Sequence, residues 1–217
     1  MAGADGCPSG PAAVSSGRSA LSTSASTGRT RVATALDTSS AQRQGDRLAA
    51  VRGSTQEPPI APAGGTRGVL RVLDALTRWY AEPPAEDAGL DRALEQAARL
   101  LRPGARVVVL ADPARAATIG SARWAALAMH HEVVVMLLVD PLELAPPADA
   151  LPFLSQGRRV LLDLGSTAVR EHWRERFVSP LETLQNSLAA RRIQVHVVAT
   201  DDASDSWLSP LPTAVVA

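Results

Sequence analysis

The fold is decided by residues 102–143, RPGARVVVLADPARAATIGSARWAALAMHHEVVVMLLVDPLE. Two apolar runs in it, 107–111 and 133–139, are rich in β-branched residues and do not alternate with polar ones, which is typical of strands covered on both faces. Between them, the helix predicted over residues 121–130 can place Trp124, Leu127, Ala128 and the adjoining His131 on one helical face. The stretch therefore predicts a strand, a helix and a second, parallel strand, joined by a right-handed crossover.

Each of the two predicted strands ends in an Asp-Pro pair, at Asp112 and at Asp140. A third predicted strand, 193–199, is followed by Thr200, Asp201 and Asp202. Parallel α/β sheets bind ligands at the carboxyl ends of their strands, so these acids lie where any chemistry would occur. The alternative is that Asp112 and Asp140 are turn residues that precede proline.

Composition limits the possible functions. The chain has 217 residues, 46% of them hydrophobic, and a formal net charge of zero, so one core is expected and nucleic acid is not a predicted partner. All 22 basic residues are arginine, which excludes lysine-dependent phosphate loops and Schiff bases. The single cysteine, Cys7, excludes a disulfide framework and favours a cytoplasmic setting, and no membrane span is predicted.

The N-terminal half is predicted to contain a leader, a hairpin and two helices. Residues 1–30 are small and polar and are expected to be disordered. Residues 31–36 are a weak strand candidate, and 47–52 with 55–60 form a possible hairpin. A helix opens at Gly64–Gly68 with an apolar face of Val69, Val72, Leu73, Leu76 and Tyr80. A second helix follows with Leu90, Leu94, Ala97, Ala98 and Leu101 on one face.

After Asp140, a proline-rich link over 145–152 precedes a strand or hairpin arm at 158–164. Ser166 or Thr167 can cap the next helix, and Pro180 predicts a kink or a break in it. A short helix is expected over 206–211. Within the parallel sheet we expect nearly complete burial at six positions: Val108, Leu110, Val134, Leu137, Val195 and Val197.

No local motif indicates catalysis. The four histidines include no pair at the helical spacing that zinc requires, and no nucleophile elbow of the type G-x-S-x-G occurs. The remaining candidates are oxygen ligands near strand ends, Asp37, Ser39, Asp112, Asp140 and Asp201, which suit a hard cation such as Mg²⁺. A metal-assisted hydrolase that uses Asp112 and Asp140 is therefore one hypothesis.

Four segments together resemble the von Willebrand factor A-like half of the bacterial family known as domain of unknown function 58. They are GDRLAAVRGSTQEPPIAPAGGTRGVLRVLDAL, AGLDRALEQAARLLRPGARVVVLADPA, HHEVVVMLLVDPLEL and ARRIQVHVVATDD, spread over residues 45–208. The family's Gly-Asp-Arg strand start is similar to Gly45-Asp46-Arg47, and its Asp-Pro-Leu-Glu is intact at residues 140–143. Its strand ending in Ser-Asp resembles Ala111-Asp112, and its His-Asp step resembles His131-Glu132.

The resemblance implies a von Willebrand factor A-like, Rossmann-type α/β fold with a mostly parallel sheet, helices on both faces and an incomplete first strand-helix unit. The domain would span residues 31–212, between the leader 1–30 and a tail 213–217. Related domains hold a metal ion with Asp-x-Ser-x-Ser, a Thr and an Asp. Here Asp37, Ser39 and Asp112 resemble three of these ligands, but Ala41 and Leu90 stand at the others. Binding of Mg²⁺ or Mn²⁺ is therefore expected to be weak or absent.

The function that the resemblance implies is a non-enzymatic protein-interaction module acting with a MoxR-type AAA+ ATPase in the assembly or maturation of protein complexes. Its partner surface would include Asp112, Asp140, Glu143 and Asp201, because loops at the carboxyl ends of the strands vary freely over a rigid sheet. The alternatives are the hydrolase above and a degenerate fragment with no independent function.

Overall fold

A three-stranded parallel sheet forms the centre of the protein. The structure, a computed structural model, describes residues 46–53, 57–81, 89–155 and 158–202. In chain order the elements are β1 (Arg47–Ala50), β2 (Ile60–Gly64), α1 (Gly65–Ala81), α2 (Gly89–Leu100), β3 (Arg106–Ala111), α3 (Pro113–Ala117), α4 (Ser121–His130), β4 (Glu132–Val139), α5 (Pro141–Leu144), β5 (Ala150–Ser155), β6 (Arg158–Asp163), α6 (Thr167–Trp173), a π-helical turn (Arg174–Val178), α7 (Ser179–Ala189) and β7 (Gln194–Ala199).

The parallel sheet has the order β3–β4–β7. Arg106 to Ala111 pair in register with Glu132 to Leu137, and Val134 to Val139 pair with Gln194 to Ala199. Both pairs are parallel, and α4 connects the first two strands. The prediction of three parallel strands is confirmed, with the last one starting at Gln194 rather than Ile193.

One face of the sheet is covered by helices. A single apolar cluster joins the strands to side chains from α2, α3, α4 and α7, among them Leu94, Ala116, Trp124, Leu127, Leu181, Leu184 and Leu188. Each of these side chains is at most 8% exposed. Trp124 and Leu127 are buried as their helical spacing predicted, whereas Ala98 is exposed and its assignment to the apolar face of α2 was wrong. Removing water from this cluster is the main stabilising contribution.

On the opposite face, the apolar cluster within the described part of the chain consists of strand residues only, Met136 and Val198 with Val108, Leu110 and Leu138 beside them. The described residues confirm a parallel sheet flanked by helices. Val134 and Leu137 of the central strand are fully buried, as predicted. The prediction was wrong for Val108, Leu110, Val195 and Val197, which are partly exposed, although Val107, Val109, Ala111 and Val198 of the same outer strands are buried.

Strands β1 and β2 form a separate antiparallel hairpin. The second arm lies at Ile60–Gly64, so the predicted arm at 55–60 was placed too early. Pro58 and Pro59 precede the strand, and Pro62 lies within it, which is possible because β2 has β1 as its only described neighbour. Helix α1 begins directly after β2 and buries Val69, Val72 and Ala75.

A second hairpin, β5–β6, was only half predicted. Residues 158–163 are a strand as expected, but its partner Ala150–Ser155 falls in the stretch that was interpreted as a proline-rich link. Helix α6 starts at Thr167 with Ser166 at its N-cap position. The expected break near Pro180 takes the form of a π-helical turn over Arg174–Val178. Helix α7 follows this turn, and Pro180 lies in the first turn of α7.

Several predictions fall outside the described residues. They concern the leader 1–30, the strand candidate 31–36, Asp37, Ser39 and Ala41, the helix at 206–211 and the tail 213–217.

Candidate functional site

The carboxyl ends of β3, β4 and β7 meet at one edge of the parallel sheet. Asp112 follows β3, Asp140 follows β4, and Thr200 to Asp202 follow β7. The last two loops are joined directly, because the Thr200 amide donates to the Val139 carbonyl oxygen at 3.0 Å. We name the set Asp112, Asp140, Glu143 and Asp201 the acidic rim.

Asp112 is the N-cap of helix α3. Its Oδ1 accepts hydrogen bonds from the amides of Ala114 at 2.8 Å and Arg115 at 3.3 Å. Pro113 occupies the first helical position, where its fixed φ suits the helix and its missing N–H removes no helical bond. The interpretation of Asp112 as a residue that precedes proline in a turn is therefore correct for its local role.

Asp140 and Glu143 form a capping box at the start of α5. Oδ1 of Asp140 accepts from the Leu142 amide at 2.9 Å, and Oε2 of Glu143 accepts from the Asp140 amide at 3.4 Å. The Asp-Pro-Leu-Glu segment thus satisfies its own backbone donors, with one acid at the N-cap and the other three residues later. Both carboxylates accept hydrogen bonds from backbone amides, and both also place negative charge at the rim.

Asp201 was the predicted residue in the third loop, but the structural contact is made by Asp202. Oδ2 of Asp202 accepts from the Ala199 amide at 2.8 Å, while Asp201 is exposed. Aspartates in turns commonly accept a hydrogen bond from an amide three residues earlier. The sequence therefore indicated that an aspartate would make this contact, but it did not indicate whether Asp201 or Asp202 would do so.

Trp173, which was not among the predicted site residues, contacts the rim from α6. Its indole Nε1 donates to the Glu143 carbonyl oxygen at 3.1 Å, and its ring contacts Phe153 and Phe177 at centroid distances of 5.5 and 4.5 Å. Nothing in the sequence indicated a partner 30 residues away.

The metal ligands suggested by the resemblance are not brought together by the described residues. Asp37 and Ser39 lie outside them, and Leu90, at the threonine position, packs against the apolar cluster below the sheet. Within the ranges that the structure describes, no three His, Cys, Asp or Glu side chains are grouped so that they could hold a metal ion.

One histidine with a shifted pKa, His131, lies at the opposite end of the sheet from the acidic rim. His131 follows α4 and precedes β4, so it belongs to the amino end of that strand. Burial lowers the pKa of His131, the neighbouring His130 lowers it further, and the Ala105 backbone opposes these effects. The uncharged form of this imidazole is therefore favoured in the folded protein.

The fold and this edge define an α/β protein with a three-stranded parallel sheet and capped, acidic strand ends. The chain belongs to the family described as Protein of unknown function DUF58, which matches residues 14–180. That range includes Asp37 and Ser39 and stops at Pro180, before β7. No curated protein and no solved structure matches the chain. Among the described residues, no helix has both the length and the apolar character required to cross a membrane.

Proposed function

We propose that this protein is a non-enzymatic interaction module with a von Willebrand factor A-like fold, which acts in the cytoplasm with a MoxR-type AAA+ ATPase in the assembly or maturation of protein complexes. The observation on which the proposal rests is the convergence of three strand-end loops at one edge of the sheet. Membership of the family DUF58 supports the choice of partner through the resemblance described above.

The charge of this edge favours a basic partner surface. Asp112, Asp140, Glu143 and Asp201 contribute four carboxylates, and Arg115 is the one arginine within the three segments 112–115, 140–143 and 200–202. Exposed charges are screened over about 10 Å at 0.1 M ionic strength, so such an association should weaken with salt. We expect an affinity in the micromolar range. Ala41 and Leu90 stand where related domains have a Ser and a Thr ligand, so a metal ion that bridges the two proteins would be held by fewer ligands.

The test has to separate the charge of the rim from its role in helix capping. Replacing the acids by alanine would remove the caps of α3 and α5, at a cost of about 1 kcal/mol for each. The variant Asp112→Asn, Asp140→Asn, Glu143→Gln instead keeps an oxygen acceptor at each position and removes three negative charges. A matched control is Asp74→Asn, Glu95→Gln, Glu132→Gln, three exposed or partly exposed acids, of which Glu132 lies at the amino end of β4, opposite the rim.

The measurement is co-purification with the MoxR-type AAA+ ATPase of the same genome, at 50 mM and 500 mM salt. We expect the wild type and the control to bind at low salt and the rim variant to lose binding while its thermal unfolding is unchanged. Binding of the rim variant at the wild-type level would contradict the proposal. The absence of any binding by the wild type would leave the degenerate-fragment interpretation in its place.

A further inference from the structure

The hairpin β5–β6 stands apart from the parallel sheet as a two-stranded antiparallel unit. One of its faces is anchored to the helices, because Phe153 contacts the Trp173 ring. Leu151 pairs with Leu162, and Phe153 pairs with Val160. Leu151 lies two residues from Phe153 and Leu162 lies two residues from Val160, so Leu151 and Leu162 share that face. The described part of the chain supplies no third strand, so the hairpin has edges with unpaired backbone groups.

The other face of the hairpin is apolar and exposed. The register pairs Pro152 with Leu161, Leu154 with Arg159 and Ala150 with Asp163, which places these six residues on one side. Leu154 is 52% exposed and Leu161 is 69% exposed. Two large apolar side chains in water on one small face are unfavourable unless something covers them.

The two edges of the hairpin differ in their capacity to pair. Strand β5 contains Pro152, which has no N–H to donate to a new neighbour, and proline is a common device for protecting an edge. Strand β6, RRVLLD, contains neither proline nor glycine. The edge that can accept another strand is therefore the edge of β6.

The outward side chains of β6 are self-complementary. Arg159, Leu161 and Asp163 follow one another on the exposed face, with a positive charge at one end, a negative charge at the other and leucine between them. Two identical antiparallel strands are related by a two-fold axis perpendicular to the sheet, so directly opposite residues share a face. If the axis passes through Leu161, Arg159 lies opposite Asp163 of the second copy, and each Leu161 lies opposite the other.

We propose that the edge of β6 docks a second copy of this chain, so that the two hairpins form a continuous four-stranded antiparallel sheet in the order β5–β6–β6–β5. In this arrangement each Leu161 packs beside Leu161 of the second copy, which buries part of the most exposed of the large apolar side chains of the hairpin. Two Arg159–Asp163 pairs across the strands add specificity, as opposite charges do on facing strands.

Neighbouring registers do not give the same complementarity. An axis at Val160 places Arg159 opposite Leu161, and an axis at Leu162 places Leu161 opposite Asp163. Both leave the charges without partners and put a charged group against leucine. Asp163 retains one oxygen for the arginine in the proposed register, because the hydrogen bond from the Gly165 amide at 3.0 Å goes to Oδ1. The inference concerns a surface other than the acidic rim and does not depend on the proposed function.

Cysteine cross-linking of the full chain tests the register. In a Cys7→Ser background, Leu161→Cys places two thiols on directly opposite residues, whose Cα atoms are about 4.5–5.5 Å apart in antiparallel sheets. This separation lies within the range for a disulfide. Leu154→Cys, on the same face but on the far strand, is the matched control. We expect a covalent dimer on mild oxidation for Leu161→Cys alone, and equal yields from the two variants would overturn the proposal.

Charge reversal supplies a second measurement that needs no oxidation. By sedimentation equilibrium, Arg159→Asp alone should raise the dimer dissociation constant by roughly tenfold, since it places like charges opposite each other twice. Asp163→Arg alone should do the same. Arg159→Asp with Asp163→Arg should restore dimerisation relative to each single variant. Failure of the double variant to recover would overturn this register, and a wild type that remains monomeric at every concentration would overturn the interface.

Discussion

The indole Nε1 of Trp173 donates a hydrogen bond to the backbone carbonyl oxygen of Glu143 over 3.1 Å. This bond connects helix α6 to the end of the capping box that follows the central strand. The same ring packs between Phe153 of the β5–β6 hairpin and Phe177 of the π-helical turn. One side chain therefore holds together the acidic rim, the hairpin and the helical segment after it.

We expect two levels of destabilisation when Trp173 is changed. Trp173→Phe keeps an aromatic ring and removes the donor, which should lower the free energy of unfolding by about 1 kcal/mol. Trp173→Ala also removes the contacts with Phe153 and Phe177 and should cost about 3–5 kcal/mol. Urea denaturation of the two variants against the wild type measures both values, and equal losses would show that the hydrogen bond, rather than the ring packing, dominates.

Gly68 should not tolerate a side chain. A Cβ atom built there would lie 2.1 Å from the carbonyl oxygen of Ala63, a backbone atom that cannot move without disturbing β2. Gly68→Ala is therefore expected to lower the free energy of unfolding by about 1–3 kcal/mol. Gly64→Ala is the control, since no atom lies closer than 3.9 Å to its Cβ position, and it should change stability by less than about 0.5 kcal/mol. Thermal unfolding of the two variants distinguishes the sites.

His131 should make stability depend on pH. The folded protein holds its pKa below the ordinary value of 6.5, chiefly by burial, so the unfolded chain binds the proton more readily. Stability from this group is present above pH 6.5 and decreases as the pH falls from 6.5 toward the lowered pKa. His131→Asn should flatten that slope in urea titrations at several pH values.

Binding of Mg²⁺ or Mn²⁺ is expected to be weak or absent, because Ala41 and Leu90 supply no hydroxyl oxygens. Titration calorimetry at millimolar Mg²⁺ measures this, with Asp112→Asn as the control that keeps the cap of α3. A saturating heat in the wild type that disappears in Asp112→Asn would contradict the expectation. Ala41→Ser with Leu90→Thr should not simply restore a site, since Leu90 packs against the apolar cluster and its loss carries a packing cost.

The sequence was sufficient to predict the parallel strands because their signal is local. Val133 to Val139 form an unbroken apolar run, and burial on both sides of a central strand follows from it. The same apolar pattern describes an outer strand equally well, and it did not distinguish the partly exposed Val108 and Val197 from their buried neighbours. Whether a strand has one neighbour or two depends on the sheet order, which the residues of that strand do not encode.

The acidic rim was predicted in position and only partly in role. Parallel strand order brings Asp112 and Asp140 to one edge, and the sequence contained both the order and the residues. The Asp-Pro pairs predicted turn residues, whereas the structure makes both aspartates the N-caps of α3 and α5, helices of five and four residues that were not predicted. Strand β5 was missed because Pro152 is unfavourable in most strands and is tolerated here only at an edge.

The π-helical turn between α6 and α7 fixes the number of residues that must separate these two helices. The amide of Ser179 bonds to the carbonyl oxygen of Arg174, five residues earlier, so the turn holds one residue more than an α-helix would. Without that residue, α7 would turn by about 100° relative to α6. Leu181, Leu184 and Leu188 would then leave the sheet while Trp173 stayed in place. Within residues 174–178, the protein is therefore more sensitive to a change in length than to a change in side chain.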